Sequence, residues 1–340
     1  MEAQETIIHD APAETLAGRE LILATKPYAR EIRRKSWWYM LTTLAALICS
    51  ATVIHLLPWL PAKAVFSVLT GLLMVRMFAI YHDHQHHAIL HRSATANIIM
   101  VAYGMLVLVP TSIWKRSHDY HHNHNSKLFS ASIGSYPIAT VSKYLSMTPG
   151  ERRFYLFTRH PLTILCGYLF MFIFGMCLSS FLSSPRKHFD SLVALVVHFT
   201  LSAAVVVTLG WQAWLFGMLV PFFIASAIGA YLFYAQHNFP GVTFRCNAEW
   251  KYEVSAMESS SYMVMSPFMR WMTANIGYHH IHHLNSRIPF YRLPEAMQGI
   301  RELQQVKTTS LSIRDIIACF RLKVWDPESN RMTGVRGLRQ

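Results

Sequence analysis

Long apolar stretches constrain this chain more than any other feature of its sequence. They lie at about 37–59, 63–81, 97–113, 163–184, 190–210 and 214–236. Each is close to the ~20 residues that an α-helix needs to cross the hydrocarbon core of a bilayer, although 97–113 is short. Because a backbone inside lipid must satisfy its own hydrogen bonds, helices are the expected structure. The sequence therefore predicts an all-α integral membrane protein.

The composition agrees with a membrane protein and argues against three soluble classes. Apolar residues make up 52% of the 340 residues and charged residues only 14%, which excludes a disordered chain. The five cysteines form no CxxC pair, which disfavours a disulfide-built secreted domain. The net charge of +13 comes from basic residues that flank apolar stretches, as Arg33 and Arg34 do before Trp37. We therefore expect no nucleic-acid partner, since that function needs a basic surface on a soluble module.

Loop charges predict which apolar stretches cross the membrane fully. The basic loops that the positive-inside rule places in the cytoplasm are 33–35, 152–153 and 186–187. The uncharged turn 210–214 carries two tryptophans and suits the opposite interface, as does 57–61. We expect about four transmembrane helices, with 97–113 and 163–184 re-entering the membrane or lying along it. The alternative is six full crossings, which would place two histidine clusters on opposite sides.

The chain is expected to have three parts. A cytoplasmic N-terminal segment covers 1–35, a membrane catalytic domain covers 36–300, and a basic cytoplasmic tail covers 301–340. The first part lacks the basic start, apolar run and small-residue cleavage site of a signal peptide, so we expect it to stay in the cytoplasm. Within the tail, 311–322 is expected to form a short amphipathic helix with Ser312 as its N-cap.

Histidine is unusually abundant, with 19 residues against 18 for Asp and Glu together, and most of it falls in four places. Because residues at i, i+3 and i+4 share one face of a helix, certain histidines should point together. These sets are His82 with His86, His118 with His121 and His122, and His279 with His282 and His283. His84 and His280 point elsewhere, and the fourth place holds the single His237. The three runs form a histidine-rich cap at the predicted cytoplasmic membrane edge.

This pattern predicts a metal centre. Neutral imidazole is a common ligand of iron, zinc, copper and nickel. The eight face-sharing histidines, with His237 as a ninth candidate, are far more than the four that a structural zinc takes, so two metal ions are expected. No Glu has a His three residues later, which excludes the di-iron site built on Glu-x-x-His helices. The ligand type alone does not identify the metal. The position of His237 in the sequence does not by itself show whether this residue is a ligand.

At these residues the chain resembles the membrane-bound fatty acid desaturases. That family carries three histidine boxes of the form HxxxH, HxxHH and HxxHH, which match the three sets above. The flanking residues are also similar: 114–118 resembles the lead-in to the second box, and 274–289 resembles the third-box region of acyl-lipid desaturases, especially bacterial ones. The run 234–237 resembles the stretch that supplies an extra ligand in the family, which implies His237 as a ligand.

The resemblance implies an oxygen-dependent fatty acyl desaturase that introduces a C=C bond into a lipid-linked acyl chain. It implies a non-haem di-iron centre, dioxygen as co-substrate, and an active site on the cytoplasmic side of a bacterial inner membrane. The implied ligands are His82, His86, His118, His121, His122, His237, His279, His282 and His283. Carboxylates should orient these imidazoles, and Asp83 and Asp119 inside the boxes are the candidates. Without a fused haem motif or an iron–sulfur cysteine set, electrons should come from a separate donor such as ferredoxin with its reductase.

Two departures and two alternatives accompany this interpretation. Gln85 stands where the first box usually has Gly, and Phe233 stands where animal acyl-CoA desaturases have an Asn. The first alternative is a sibling oxidation on the same scaffold, namely a hydroxylase, a terminal-alkene-forming decarboxylase or a carotenoid oxygenase. The second is a membrane metal transporter or sensor, which would need ligands along a path through the bilayer.

Overall fold

The structure is a computed structural model that describes residues 15–128, 136–246 and 248–338. Its helices are α1 (Gly18–Ala24), α2 (Arg33–Leu56), α3 (Leu60–Gln85), α4 (Ala94–Leu106), α5 (Thr111–Asn123), α6 (Val141–Ser146), α7 (Pro149–Thr158), α8 (Pro161–Leu165), α9 (Tyr168–Ser183), α10 (Phe189–Leu209), α11 (Trp211–Ala235), α12 (Tyr252–Ser259), α13 (Pro267–Met272), α14 (His279–Leu284), α15 (Leu293–Gly299) and α16 (Ile313–Arg321). Short 3₁₀ turns lie at Lys26–Ala29, Phe290–Arg292 and Arg301–Gln304. The strands are β1 (Tyr262–Val264), β2 (Thr308–Ser310), β3 (Val324–Asp326) and β4 (Arg331–Thr333).

Four helices are long and apolar enough to cross a membrane, and they are α2, α3, α10 and α11. They match the four stretches predicted to cross, with ends that differ by a few residues. The helices form two hairpins, α2 with α3 and α10 with α11, and α11 packs against α3. Since each hairpin returns the chain to its starting side, the C-terminal ends of α3 and α11 lie on the same side. The prediction of an all-α membrane protein with about four spanning helices is confirmed.

Proline and glycine set the hairpin turns. Leu57 precedes Pro58 and has extended backbone angles (φ −78°, ψ 132°), as the residue before a proline favours, and α2 ends there. Pro61 follows in the first turn of α3, where its missing N–H costs nothing. Gly210 joins α10 to α11 with φ +86°, a left-handed conformation that is costly for residues with a Cβ.

The stretch predicted at 97–113 does not form one straight helix. α4 and α5 are bent by 92° relative to one another. Tyr81 holds one side of the bend, because its hydroxyl donates to the Val109 carbonyl at 3.1 Å. Asp190 at the start of α10 holds the other side, accepting from the Ser112 N–H (2.9 Å) and hydroxyl (2.5 Å). A bend of this size fits either a broken span or the expected re-entrant segment, and it brings α5 toward the ends of α3 and α11.

α9 occupies the second stretch that was expected not to cross. It is apolar but shorter than the four long helices, and it is π-helical over Tyr168–Ser179. Its start packs tightly on α11, since a Cβ built at Gly167 would lie 2.7 Å from the Ala230 Cβ. α9 therefore forms a wall beside the membrane helices.

Arg76 ties the histidine-rich cap to the membrane helices. It lies within α3, yet its guanidinium is buried, donating from Nε to Thr43 Oγ1 at 3.1 Å and from Nη1 to the Trp271 carbonyl. The same guanidinium lies 3.9 Å from the centroid of the Trp271 ring. These contacts satisfy a charge that would be costly alone, and they fix α13 against α2 and α3.

The residues after 300 pack against the rest of the cap. β2 pairs in parallel with β1, and β3 pairs antiparallel with β4. Trp325 is 2% exposed and packs in one core with Phe244 and Tyr234. The residues after 300 therefore contribute strands and core side chains to the cap. The short helix expected at 311–322 is present as α16, and the Ser312 hydroxyl caps it by accepting from the Asp315 N–H at 3.2 Å.

The N-terminal segment also belongs to the cap where the structure describes it. Leu21 on α1 is buried, and Thr25 accepts a hydrogen bond from Asn285, just after α14, at 2.8 Å. The Leu16 N–H donates to Glu302 at 2.9 Å. Residues 1–14 of this predicted segment lie outside the described residues.

Candidate metal centre

The nine predicted ligands come from four places that meet on one side of the membrane helices. His82 lies in the last turn of α3 and His86 follows that helix. His237 follows α11. The other six lie on two helices: His118, His121 and His122 on α5, and His279, His282 and His283 on α14. All nine side chains are buried. The bend between α4 and α5 and the parallel ends of α3 and α11 bring these elements together.

Five of the nine form a first group, in which one ring nitrogen from each residue lies within 4.8 Å of all the others. The five are His82, His86, His118, His122 and His282. The His82 Nε2 lies 2.7 Å from the His118 Nε2, which is 3.1 Å from the His122 Nε2. The His122 Nε2 is in turn 3.1 Å from the His282 Nε2.

The other four form a second group under the same 4.8 Å criterion, and they are His121, His237, His279 and His283. The His237 Nε2 is central, at 3.1 Å from the His121 Nε2 and 2.8 Å from the His279 Nε2. The His283 Nε2 lies 3.1 Å from the His279 Nε2. The two groups touch, since the His122 and His283 rings stack with centroids 4.2 Å apart.

Helical geometry explains why the boxes divide between the groups. Successive residues on an α-helix are rotated by about 100°. Residues at i and i+4 are therefore only about 40° apart, so His118 and His122 enter one group, and His279 and His283 enter the other. His121 is rotated away from His118 and His122 and enters the second group. His282 is likewise rotated away from His279 and His283 and enters the first group. His82 and His86 point together as expected, whereas each HxxHH box divides its three histidines between the two groups.

The two groups fit metal ions by their chemistry. Each gathers ring nitrogens around a common centre, and the buried His86 Nε2 has no hydrogen-bond partner in the described part of the chain. Burial lowers the pKa of His237 to about 4. Burial, together with neighbouring imidazoles, also holds the pKa of His279, His282 and His283 well below the usual range. Neutral imidazoles with converging lone pairs are the form that binds divalent metals.

Histidines outside the two groups have other partners, as expected. His84 Nδ1 lies 3.1 Å from the Ile89 carbonyl, and His280 Nε2 lies 3.0 Å from the Leu303 carbonyl. A similar contact orients one candidate ligand, because His237 Nδ1 lies 3.0 Å from the Ser259 carbonyl. A proton on that Nδ1 leaves Nε2 free to face the second group.

The two candidate carboxylates lie in different environments. Asp83 is buried, with Oδ1 3.5 Å from the His82 Nδ1 and Oδ2 accepting from the Phe290 N–H at 2.6 Å. Asp119 faces outward, and its side chain is 45% exposed and pairs with Lys115 at 3.0 Å. Asp119 follows His118 by one residue on the helix, so its side chain is rotated away from the histidines.

Sequence reasoning missed several contacts that hold the ligands. Trp114 stacks on His118, with centroids 4.6 Å apart and planes 14° apart. The Tyr252 hydroxyl donates to the His283 carbonyl at 2.6 Å and fixes α14. Trp114 lies four residues before His118, so the i, i+4 rule could have identified this pair. No sequence rule points to Tyr252 or the Ser259 carbonyl, which lie in a distant part of the chain.

A narrow apolar cavity borders the two groups. His82 from the first group and His279 from the second both line it. Phe78 and Phe233 line it next, with ring centroids 6.2 Å apart. Phe233, at the position where the sequence departs from the animal pattern, therefore forms part of the cavity wall. The arrangement can hold a hydrocarbon chain directly beside two metal ions.

Comparisons with known proteins agree with this chemistry. Residues 58–314 match the protein-family model described as "Fatty acid desaturase". A fatty acid desaturase from Bacillus subtilis (strain 168) is 28% identical over 274 residues, which cover 80% of this chain and 77% of the relative.

Two further relatives differ in their named reactions. An sn-1 oleoyl-lipid 12-desaturase from Anabaena variabilis is 23% identical over 277 residues, covering 79% of this chain and 77% of the relative. An oleoyl-12-hydroxylase from Ricinus communis is 25% identical over 266 residues, which cover 71% of this chain and 66% of the relative. The similarity extends over most of the chain in each case.

Proposed function

This chain belongs to the fatty acid desaturase family, and on that premise we propose that it desaturates a lipid-linked acyl chain with two iron ions held by the nine histidines. The observation that carries the proposal is the convergence of two histidine groups at the mouth of one apolar cavity. Five histidines would hold one iron and four the other. When bound, the irons would supply the activation of dioxygen that the breaking of unactivated C–H bonds requires.

The reaction also requires electrons from outside the protein. Removing one hydrogen from each of two neighbouring carbons leaves a C=C bond and supplies two electrons and two protons. Reduction of dioxygen to two waters takes four of each, so a donor supplies two electrons and solvent supplies two protons. A ferredoxin with its reductase fits this requirement, and the net charge of +13 favours an acidic carrier.

The side chains around the groups orient ligands and exclude water. The Ser259 carbonyl holds the His237 ring through Nδ1, and Asp83 links the end of α3 to the Phe290 N–H beside the third box. Phe78, Phe233 and the other apolar lining keep the reacting carbons in a dry environment. A dry site limits side reactions of reactive oxygen species.

The position of the site relative to the bilayer follows from the ends of the spans. Both groups lie where α3 and α11 end, next to basic segments such as 33–35 at the start of α2. The positive-inside rule places that side in the cytoplasm. We propose a bacterial inner membrane as the location and an esterified membrane lipid as the substrate, as the name of the Anabaena relative suggests.

Hydroxylation of an acyl chain is the second candidate reaction. The relative from Ricinus communis carries this activity in its name, and its sequence covers the same region of the chain. Both reactions begin with the loss of one hydrogen and differ only afterwards. Decarboxylation, carotenoid oxidation and metal handling have no comparable observation in their favour, and both metal groups lie at span ends and not along a path through the bilayer.

Gas chromatography–mass spectrometry of total fatty acids from a bacterial host expressing the chain with a ferredoxin system tests the proposal. We expect a new unsaturated acid with the wild-type chain and none with His282→Ala, which removes a ligand from the five-histidine group. His124→Ala is the matched control, because this histidine of the same segment as the second box lies in neither group. Its product should equal that of the wild type.

The other outcomes have distinct meanings. A hydroxy acid in place of an alkene would replace desaturation with the second candidate. An equal amount of product from His282→Ala would refute the assignment of the site. Purified wild-type protein that is well folded but binds no iron would refute the di-iron proposal.

A further inference from the structure

The cavity follows one stripe of α11 away from the metal groups. Along it, Gln236, Phe233, Gly229, Ser226 and Phe222 recur at three- or four-residue spacing. Gln236 lies fourteen positions after Phe222, which corresponds to about 21 Å along a helix at a rise of 1.5 Å per residue. Gly229 and Ser226 are small, which leaves the space that the cavity occupies.

The cavity cannot continue between α3 and α11. Met74 is the deepest residue of α3 that lines it. Below Met74 the two helices touch, since a Cβ built at Gly71 would lie 2.9 Å from the Ile224 Cβ and 3.0 Å from the Pro221 carbonyl oxygen. The remaining depth lies on the other face of α11, beside Phe172 of α9 and toward Phe222.

A polar pair inside the membrane supports Phe222. His198, in the middle of α10, is buried, and its Nε2 lies 2.5 Å from the hydroxyl of Tyr168 at the start of α9. Both rings contact Phe222, with centroids 4.8 Å away for His198 and 5.8 Å away for Tyr168. A hydrogen bond in a low-dielectric environment is strong, so three helices are fixed at this point. Polar residues at this depth are costly and usually have a function.

We propose that Phe222, supported by the hydrogen-bonded rings of Tyr168 and His198, is the floor of the acyl cavity. The methyl end of the acyl chain rests on this floor, which thereby fixes the number of carbons between the methyl end and the new double bond. This inference rests on the proposed function. The deep part of the cavity is apolar and ends against an aromatic ring. Burying an ester or headgroup there without hydrogen bonds would cost several kcal/mol, so the hydrocarbon end enters first. The carbons that reach the metal groups are then counted upward from Phe222.

The test measures the double-bond position in cells supplied with straight-chain fatty acids of several lengths. Dimethyl disulfide adducts of the products locate the bond by mass spectrometry. For the wild type we expect a constant number of carbons between the bond and the methyl end. With Phe222→Ala the floor is deeper, so the bond should move toward the carboxyl end in every chain length.

Two further variants keep the test valid if Phe222→Ala misfolds. Ser226→Phe, one turn nearer the metals, should shift the bond toward the methyl end. His198→Phe removes the hydrogen bond behind the floor and should spread the product over neighbouring positions. Phe189→Ala on α10 is the matched control, since this ring is 61% exposed toward lipid and should change nothing.

The outcomes separate this inference from the proposed function. A wild-type bond at a constant distance from the carboxyl carbon would overturn counting from the methyl end. Unchanged positions in folded Phe222→Ala and Ser226→Phe would overturn the assignment of the floor. The absence of any alkene from the wild type, in cells with a competent donor, would overturn the proposed function itself.

Discussion

Replacement of His237 by alanine should remove one metal ion and leave the other. His237 is one of four histidines in the second group, and its Nε2 lies 2.8 Å and 3.1 Å from those of His279 and His121. None of the five histidines of the first group is changed. The variant therefore retains three ligands at one centre and five at the other.

The size of the effect follows from the number of ligands. A four-ligand metal site of the structural zinc type contributes about 10–16 kcal/mol of binding free energy, or roughly 2.5–4 kcal/mol per ligand. At 1.4 kcal/mol per factor of ten, the loss of one ligand lowers the affinity by about 60- to 700-fold. His118→Ala should lower the metal affinity less than His237→Ala does. The first group still keeps four histidines, which is a complete tetrahedral set of ligands.

Iron content by inductively coupled plasma mass spectrometry, after dialysis against a graded series of chelator concentrations, measures this difference. We expect two irons per wild-type chain and close to one for His237→Ala at intermediate chelator, with loss of desaturation. His118→Ala should hold both irons at that concentration. His124→Ala, which lies outside both groups, controls for handling.

The reasoning would be refuted if His237→Ala retained two irons at every chelator concentration that the wild type withstands. Loss of both irons at the same concentration would show instead that the two groups bind metal as one unit. Circular dichroism on each variant confirms that the helices are intact.

Three further predictions concern the surroundings of the site. Asp83→Asn should weaken iron binding about 10–100-fold, which is the range for residues that orient metal ligands. Asp119→Asn should leave the iron affinity unchanged, and the same chelator series measures both variants. Metal-free protein should lose stability as the pH falls from about 6.5 toward 4. Burial depresses the pKa of His237 and His280 to about 4, so the unfolded chain binds more protons than the folded chain in this window. A thermal midpoint that did not fall over this pH range would contradict the burial of these two neutral histidines. Trp325→Ala should destabilise the cap by about 3–5 kcal/mol, the range for truncating a buried aromatic residue. Denaturant unfolding measures this free energy, and a negligible change would contradict the packing of the residues after 300 into the cap.

The signal that groups the histidines is local. The i, i+3 and i+4 spacing identifies each set of histidines on a helix, and all eight lie in the two groups. His237 stands alone in the sequence, and only its resemblance to a family segment indicated it. Long-range contacts leave no such signal: no local pattern shows that Trp325 packs against Phe244.

Length and hydropathy by themselves determined the membrane helices, since a backbone in lipid has few alternatives to a helix of this length. Histidine content and spacing predicted clusters of side chains that are able to hold metal ions. Only the tertiary structure decided how the nine imidazoles divide five to four, because that depends on the 92° bend that brings α5 onto α14. It alone placed Phe222 against His198 and Tyr168, three residues from three helices. Such contacts depend on how helices pack, and side chains far apart in sequence carry no local record of it.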